Sequence, residues 1–250
     1  MSAIQLVKCQ FERSMATYDA HAQAQKKIAS KLAEMVHKTL PDRPRRVLEV
    51  GCGTGLLTRQ LNAVYRPDQY FLNDINAKVK EILPTLMRDR PYTFLYGDAQ
   101  QICLPNELDL VVSASSLQWI SDLAGFLAKV RQVLSKGGHL FFSSFGPSNL
   151  KEIAAIEHRG LDYHDLNEVR ALLQADFDVL FCSEEEMVLR FDEPLAVLRH
   201  LKYTGVNGGF SSVWSRSRLQ RFCEAYRAGF GDAQGVSLTY HPTYFAVRGQ

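Results

Sequence analysis

Three alternate glycines, Gly51, Gly53 and Gly55, close an apolar run from Val47 to Val50 and lead into Leu56-Leu57-Thr58. A strand entering such a loop can turn sharply and bring its backbone against a ligand, because no Cβ stands in the way. A helix starting near Thr54 or Gly55 directs its free N–H groups back over the loop. Two acids follow. Asp74 stands 23 residues beyond Gly51, and Asp98 lies within Gly97-Asp98-Ala99. A carboxylate at the first position can accept hydrogen bonds from both vicinal hydroxyls of a ribose. At the second, it can accept from an exocyclic amine of adenine while the next amide donates to a ring nitrogen. These residue types suit a nucleotide-like ligand. Each acid also has a plainer role, Asp74 as a helix N-cap and Asp98 as a turn residue.

The dinucleotide fingerprint would place glycine or alanine at position 56, to pack helix against strand. Leu56 stands there, which disfavours pyrophosphate binding. Glu49 through Gly55 reads E-x-G-x-G-x-G and resembles motif I of the class I S-adenosylmethionine-dependent methyltransferases. The resemblance implies that the loop faces the methionine part of that cofactor, with Glu49 supporting that end. Carried over residue by residue, it gives Glu49, Gly51, Cys52, Gly53, Gly55, Asp74, Ile75, Asp98, Ala99 and Ser113 as the cofactor-binding set. S-adenosylmethionine would be the cofactor and S-adenosylhomocysteine its product, with no metal.

The elements that must position these residues follow from periodicity. Residues 1–40 read as helical, ended by Pro41 and Pro44. Strands are expected at 46–50, 69–74, 92–96, 108–113 and 139–145, with helices after the first, second and fourth. Leu108–Ser113 is a nearly continuous apolar run, suited to a sheet buried on both faces. The Lys136-Gly137-Gly138 stretch reads as a helix stop. Alternating strands and helices imply a doubly wound parallel sheet, whose ligands sit beyond the carboxyl ends of the strands. Gly51–Gly55, Asp74, Asp98 and Ser113–Trp119 would converge there. Beyond 146, helices are expected at 147–157, 166–174, 194–203 and 215–227. Long strands are expected at 178–191 and 236–247. The whole reads as one α/β domain over 1–250 with a Rossmann-like class I methyltransferase fold. Its seven-stranded, mostly parallel sheet would carry helices on both faces and an added helical lid. Its parts would be an N-terminal helical segment (1–40), a cofactor-binding half (45–145), a stretch of helices, one strand and lid (146–235), and a last strand (236–247).

Composition narrows the class. The 250 residues are 46% hydrophobic and 22% charged, with a formal net charge of +2, which argues against general nucleic-acid binding. Cys9, Cys52, Cys103, Cys182 and Cys223 are scattered and contain no C-x-x-C, against a disulfide framework or a zinc site. With no apolar run of membrane-spanning length and no signal-peptide core, a cytoplasmic protein is expected.

A narrower resemblance rests on further stretches. Thr17-Tyr18-Asp19 with His21-Ala22, Leu117-Gln118-Trp119, and Phe142-Ser143-Ser144-Phe145-Gly146 look like the malonyl-acyl-carrier-protein O-methyltransferases of early biotin synthesis. So do His200-Leu201-Lys202-Tyr203-Thr204-Gly205 and His241-Pro242-Thr243-Tyr244. Ala114 departs from the pattern, where relatives often carry Asn. The resemblance implies methylation of the free carboxylate of malonyl-acyl carrier protein. The alternative is a class I methyltransferase acting on another small carboxylate, hydroxyl or amine.

A carboxylate is already ionised at neutral pH, so no general base is required and positioning should dominate. Tyr18, Gln118 and Trp119 are the catalytic candidates, with Ser144 beside them. Trp119 fits simple core packing equally well, and Tyr18 an ordinary N-terminal helix. Lys151, Arg199, Lys202 and Arg218 are cations available to the malonyl arm. Arg216, Arg218, Arg221 and Arg227, or Arg199 with Lys202, offer a basic surface to the acidic carrier, though each also reads as a solvated helix face. No nucleic acid, no membrane, and a monomer or weak dimer complete the expectation.

Overall fold

The structure is a computed structural model and describes residues 3–40, 42–158, 160–205 and 215–250. In chain order the strands are β1 (Arg46–Val50), β2 (Gln69–Asp74), β3 (Tyr92–Tyr96), β4 (Leu108–Ser113), β5 (Leu134–Phe145), β6 (Phe177–Glu184), β7 (Met187–Phe191), β8 (Gly231–Asp232), β9 (Gly235–Tyr240) and β10 (Pro242–Gly249). The α-helices are α1 (Ala3–His21), α2 (Gln23–Thr39), α3 (Leu56–Val64), α4 (Val79–Met87), α5 (Leu123–Val133), α6 (Lys151–Glu157), α7 (Leu166–Leu173), α8 (Pro194–Tyr203) and α9 (Arg216–Phe230). They group into two compact units.

The first unit comprises Ala24–Ser144, His164–Glu184 and Thr243–Gln250, and is built on a seven-stranded sheet of order β3-β2-β1-β4-β5-β10-β6. Strands β3, β2, β1, β4 and β5 run parallel, and β10 pairs antiparallel with β6. This is the expected α/β, mostly parallel sheet. Leu48, Leu108, Val111 and Phe142 are wholly buried and join Phe245 and Val247 in one core. Burial on both faces explains why these strands read as apolar runs rather than alternating ones. The strand order reverses between β1 and β4, and the crevice at such a reversal is where open sheets bind ligands. The glycine loop therefore leaves the sheet at its functional edge.

The second unit comprises Met1–Gln23, Phe145–Tyr163 and Glu185–Pro242. Its antiparallel sheet has the order β7-β9-β8 and packs with α6 and α9. The Glu152 carboxylate of α6 is 1% exposed and accepts from the Thr239 hydroxyl at 2.6 Å and the Thr239 amide at 3.0 Å. α1 packs on α8, where the Thr17 hydroxyl donates to the Tyr203 carbonyl at 3.1 Å.

Four boundaries differ from expectation. The N-terminal helix is two helices, parted at Ala22, and α2 ends at Thr39; Pro41 lies outside the described residues. Gly137 and Gly138 do not stop α5, because the chain turns extended at Leu134 and the pair falls inside β5. The β4–β5 register slips between Leu108 and Leu110 at that level, and a Cβ on Gly138 would come 2.6 Å from the Leu108 carbonyl. The glycines serve a bulge. The long strand at 178–191 is β6 and β7, and that at 236–247 is β9 and β10, with each pair split between the two sheets. At both breaks the chain leaves one ladder for another, with the Glu185 amide donating to the Pro242 carbonyl at 3.1 Å.

Candidate functional site

The carboxyl edge of the first unit's sheet is stitched by its own polar groups. The Cys52 amide donates to the Asn73 carbonyl at 2.9 Å, tying the glycine loop to β2. The Asn73 side-chain amide donates to the carbonyls of Leu95 at 2.8 Å and Gly97 at 2.9 Å, tying β2 to the end of β3. Buried Ser113 donates its hydroxyl to the Val50 carbonyl at 2.9 Å, joining β4 to β1. These bonds join the carboxyl ends of β1, β2, β3 and β4, next to which Gly51, Gly53, Asp74, Asp98 and Ser113 stand.

Gly51, Gly53 and Gly55 have φ of +69°, +50° and +82°, a region where other residues are strained. Added Cβ atoms on Gly51 and Gly55 would strike Ser116 and Leu86, whereas one on Gly53 would meet nothing within 4 Å. The loop is closed on the protein side and open at Gly53, leaving room for a ligand against the bare backbone. Asp74 is not the cap of α4, whose N-cap is Lys78 with no side-chain cap bond; it closes a local turn instead. Its carboxylate accepts from the Gly53 amide at 2.8 Å and from the Asn76 amide at 2.7 Å, one on each oxygen. Each carboxylate oxygen has two lone pairs, so both retain capacity for a vicinal diol. Burial raises the Asp74 pKa, against the opposing pull of the Asn76, Gly53 and Ile75 amides.

Glu49 is 2% exposed and accepts from the Tyr70 hydroxyl at 2.7 Å and the Thr58 hydroxyl at 2.9 Å. Burial pushes its pKa up to about 7, opposed by those two donors and assisted by the nearby Asp74 charge. It braces β1 against β2 and the first turn of α3 from behind the loop. Cys52 is buried as well, and burial pushes its thiol well above the ordinary range, which leaves no thiolate nucleophile there. Two acids in a low-dielectric edge suit a cationic, polyhydroxylated ligand.

At the third strand end, Asp98 Oδ1 accepts from the Gln100 amide at 2.9 Å in a local turn. Ala99 is buried, and its loop is clamped by a residue that sequence reasoning missed. The Lys129 ammonium of α5 donates to the carbonyls of Ala99 at 3.0 Å, Gln100 at 3.0 Å and Ile102 at 2.5 Å. Nothing in the side-chain types marks it, because its partners are backbone carbonyls. The Gln100 Nε2 also donates to both Asp98 oxygens at 3.3 Å, so the turn engages each of them.

Beyond β4, Ser115 has φ +52° and its amide donates to the Ser143 hydroxyl oxygen at 3.0 Å, which secures this loop. Gln118 and Trp119 lie in the single 3-10 turn Leu117–Trp119. The Gln118 Nε2 is committed to the Ser115 carbonyl at 2.7 Å. Ser115 Oγ, Gln118 Oε1 and Trp119 Nε1 are buried atoms with no partner among the described residues. A hydroxyl and an indole N–H free to donate, close together in the chain, are what an anionic acceptor needs.

Tyr18 lies in α1 of the second unit, its ring centroid 6.1 Å from that of Phe11. Of the candidate cations there, Lys151 pairs with Glu186 at 2.9 Å, Arg218 with Glu157, and Arg199 approaches Glu193 at 3.6 Å. Arg216, Arg221 and Arg227 are exposed on α9, and Lys202 is exposed on α8.

Comparison with known proteins agrees with this geometry. A family described as a methyltransferase domain matches residues 48–142. A malonyl-acyl-carrier-protein O-methyltransferase of Bacteroides thetaiotaomicron is 38% identical, with 95% of each chain covered. Further relatives bearing the same name are 34–38% identical. Among solved structures, a protein of Bacillus halodurans C-125 matches with a TM-score of 0.64 at 14% identity, covering 88% of this chain and 97% of that one. The N-methyltransferase NodS of Bradyrhizobium japonicum, solved with S-adenosyl-L-homocysteine, matches with a TM-score of 0.54 at 12% identity, covering 93% and 98%. These two likenesses concern the fold.

Proposed function

The chain belongs to the malonyl-acyl-carrier-protein O-methyltransferase family, and from that premise we propose that it converts the free carboxylate of malonyl-acyl carrier protein to its methyl ester, in early biotin synthesis. The observation that carries this reading is the pair of buried, unpartnered donors Ser115 Oγ and Trp119 Nε1, with no titrating base beside them; Gln118, expected to hold the carboxylate, has spent its Nε2 on the Ser115 carbonyl and leaves only the acceptor Oε1. That arrangement suits a nucleophile that arrives already ionised, as a malonyl carboxylate does at neutral pH.

The residues of the edge fit S-adenosylmethionine. Open space at Gly53 admits its backbone-hugging part, Asp74 has acceptor capacity for the ribose, and Asp98 keeps lone pairs for the adenine amine beside its bonds from Gln100. When bound, that cofactor supplies an electrophilic methyl group on a sulfonium. The protein's own part is placement. The Ser115 hydroxyl and Trp119 indole N–H would donate to the acceptor carboxylate; Tyr18 is proposed for methyl placement from its position in the Thr17-Tyr18-Asp19 stretch alone. Attraction between carboxylate and cation fades as their charges cancel along the reaction, so rigid positioning has to lower the barrier. Exposed Arg216, Arg221, Arg227 and Lys202 provide the basic surface for an acidic carrier protein. All five cysteines are free, which supports a reducing compartment, the cytoplasm.

The test is intact-mass measurement of malonyl-acyl carrier protein after incubation with the enzyme and S-adenosylmethionine. One added methyl group, with far less on free malonate, is the expected result. No ester above blank from protein that binds the cofactor, or faster turnover of a non-carrier substrate, would overturn the reading.

A further inference from the structure

Gln25 is a buried residue that none of these roles uses. It is 4% exposed, and neither its Oε1 nor its Nε2 has a hydrogen-bond partner among the described residues. A buried amide in this state is uncommon and calls for a cause. Its sequence context, Gln23-Ala24-Gln25-Lys26-Lys27, reads as a solvated helix start. Yet Gln25 shares the buried stripe of α2 with Ile28, Leu32 and Val36, and therefore faces inward.

The level of that stripe is set by α3. The Gln60 side chain donates to the Ser30 hydroxyl oxygen at 3.3 Å. Further along, Tyr65, which follows α3, donates its hydroxyl to the carbonyls of Val36 at 3.5 Å and Leu40 at 2.8 Å. The two helices therefore run side by side in the same direction, each rising about 1.5 Å per residue. Counting five residues back from both Ser30 and Gln60 puts Gln25 level with Gly55, the last glycine of the loop.

We propose that Gln25 is a cofactor-binding residue that holds the amino-acid end of S-adenosylmethionine. This rests on the methyltransferase reading above. Asp74 and Asp98 account for the ribose and the adenine, while Glu49 is spent on Thr58 and Tyr70. The α-ammonium and α-carboxylate are left without named side-chain partners. An amide matches such a zwitterion, with one acceptor for the ammonium and two donors for the carboxylate. Keeping that amide unpartnered in the free protein means that the ligand, rather than the fold, satisfies it.

The experiment is calorimetric binding of S-adenosylhomocysteine and of 5′-methylthioadenosine, which lacks the amino-acid part, to the wild type and Gln25→Leu. The loss expected in Gln25→Leu is about tenfold or more for the first ligand and under about twofold for the second. Ligand-free melting of Gln25→Leu should equal or exceed that of the wild type, because an unpartnered amide has been replaced by an apolar side chain of similar size. Equal losses for both ligands, no loss for S-adenosylhomocysteine, or a lowered ligand-free melting temperature in both Gln25→Leu and Gln25→Met would overturn the assignment. Failure of the wild type to bind either nucleoside would overturn the cofactor reading itself, and this inference with it.

Discussion

Replacing Glu49 by glutamine should change how the stability of this protein responds to pH. Glu49 accepts from Tyr70 and Thr58, and the amide oxygen of a glutamine can keep both bonds. What glutamine cannot do is ionise. In the folded chain burial raises the Glu49 pKa from 4.5 to about 7, so between those values the native state holds a proton that the unfolded chain has released. The resulting contribution to stability is complete below about pH 4.5 and is lost as the pH rises through about 7. A rise of that size corresponds to about 3 kcal/mol, a large fraction of the stability of an ordinary domain. The Glu49→Gln variant carries no such dependence. Urea denaturation followed by circular dichroism, at pH values from about 5 to about 8, should find the variant gaining on the wild type by about that amount across the range. Parallel pH profiles would refute the reasoning, as would a difference that runs the other way. The cofactor offers a second reading of the same group. A cationic ligand near Glu49 should lower its pKa, so wild-type binding near neutral pH should release a proton, detected by calorimetry in buffers of different ionisation heat. Glu49→Gln should abolish that release.

Asp74→Ala should weaken cofactor binding by about 1–3 kcal/mol, the loss expected for charge-assisted hydrogen bonds, and titration calorimetry will measure it. Unchanged affinity would remove Asp74 from the site. Lys129→Met keeps the aliphatic stem but loses three bonds to the loop carbonyls of Ala99, Gln100 and Ile102. Amide exchange over residues 97–103 should accelerate and cofactor affinity should drop by about 1–2 kcal/mol, whereas unchanged exchange would mean the clamp is idle. Tyr18→Phe should lower turnover and leave cofactor affinity nearly intact. Weakened cofactor binding alone would move Tyr18 from methyl placement to the cofactor pocket.

The parallel half of the sheet could be read from sequence because its determinants are local. Arg46–Val50, Gln69–Asp74 and Leu108–Ser113 are each bounded by turn residues, and burial on both faces makes them apolar for most of their length; the edge strand Tyr92–Tyr96 has no buried residue and is marked by its aromatic and β-branched types. The antiparallel pair that completes the seven strands was legible as well, but not where the later strands change sheets. A strand that changes sheets at Glu185-Glu186 or at His241 keeps the same residue alternation on both sides of the break. Only the partners reveal the change, and those lie far away in sequence. Gly137 and Gly138 misled for a related reason: glycine suits a helix stop and a bulge alike, and the choice was made by the register with β4. In the site, the glycine loop and both acids were legible by type and spacing. Gln25 was hidden among polar neighbours, although its spacing to Ile28, Leu32 and Val36 marks the buried stripe. Lys129 was hidden because its partners are backbone carbonyls, which leave no trace in side-chain types.

The place of β10 bears on how the chain acquires its fold during synthesis. β6 borders only β10 in the seven-stranded sheet, and β10 is the last strand in chain order. A nascent chain exposes β6 while its partner is still unmade, and Phe245 and Val247 reach the core after every other member of it. The parallel strands β1 to β5 can pair beforehand, but the edge beside β5 waits open for residues 242–249. Such late, non-local closure slows folding and leaves an unpaired strand edge available to other chains until it is complete. A ribosome-stalled chain lacking those residues should therefore be sensitive to proteases between 177 and 184, and one extended well past residue 249 should be protected there in a single step.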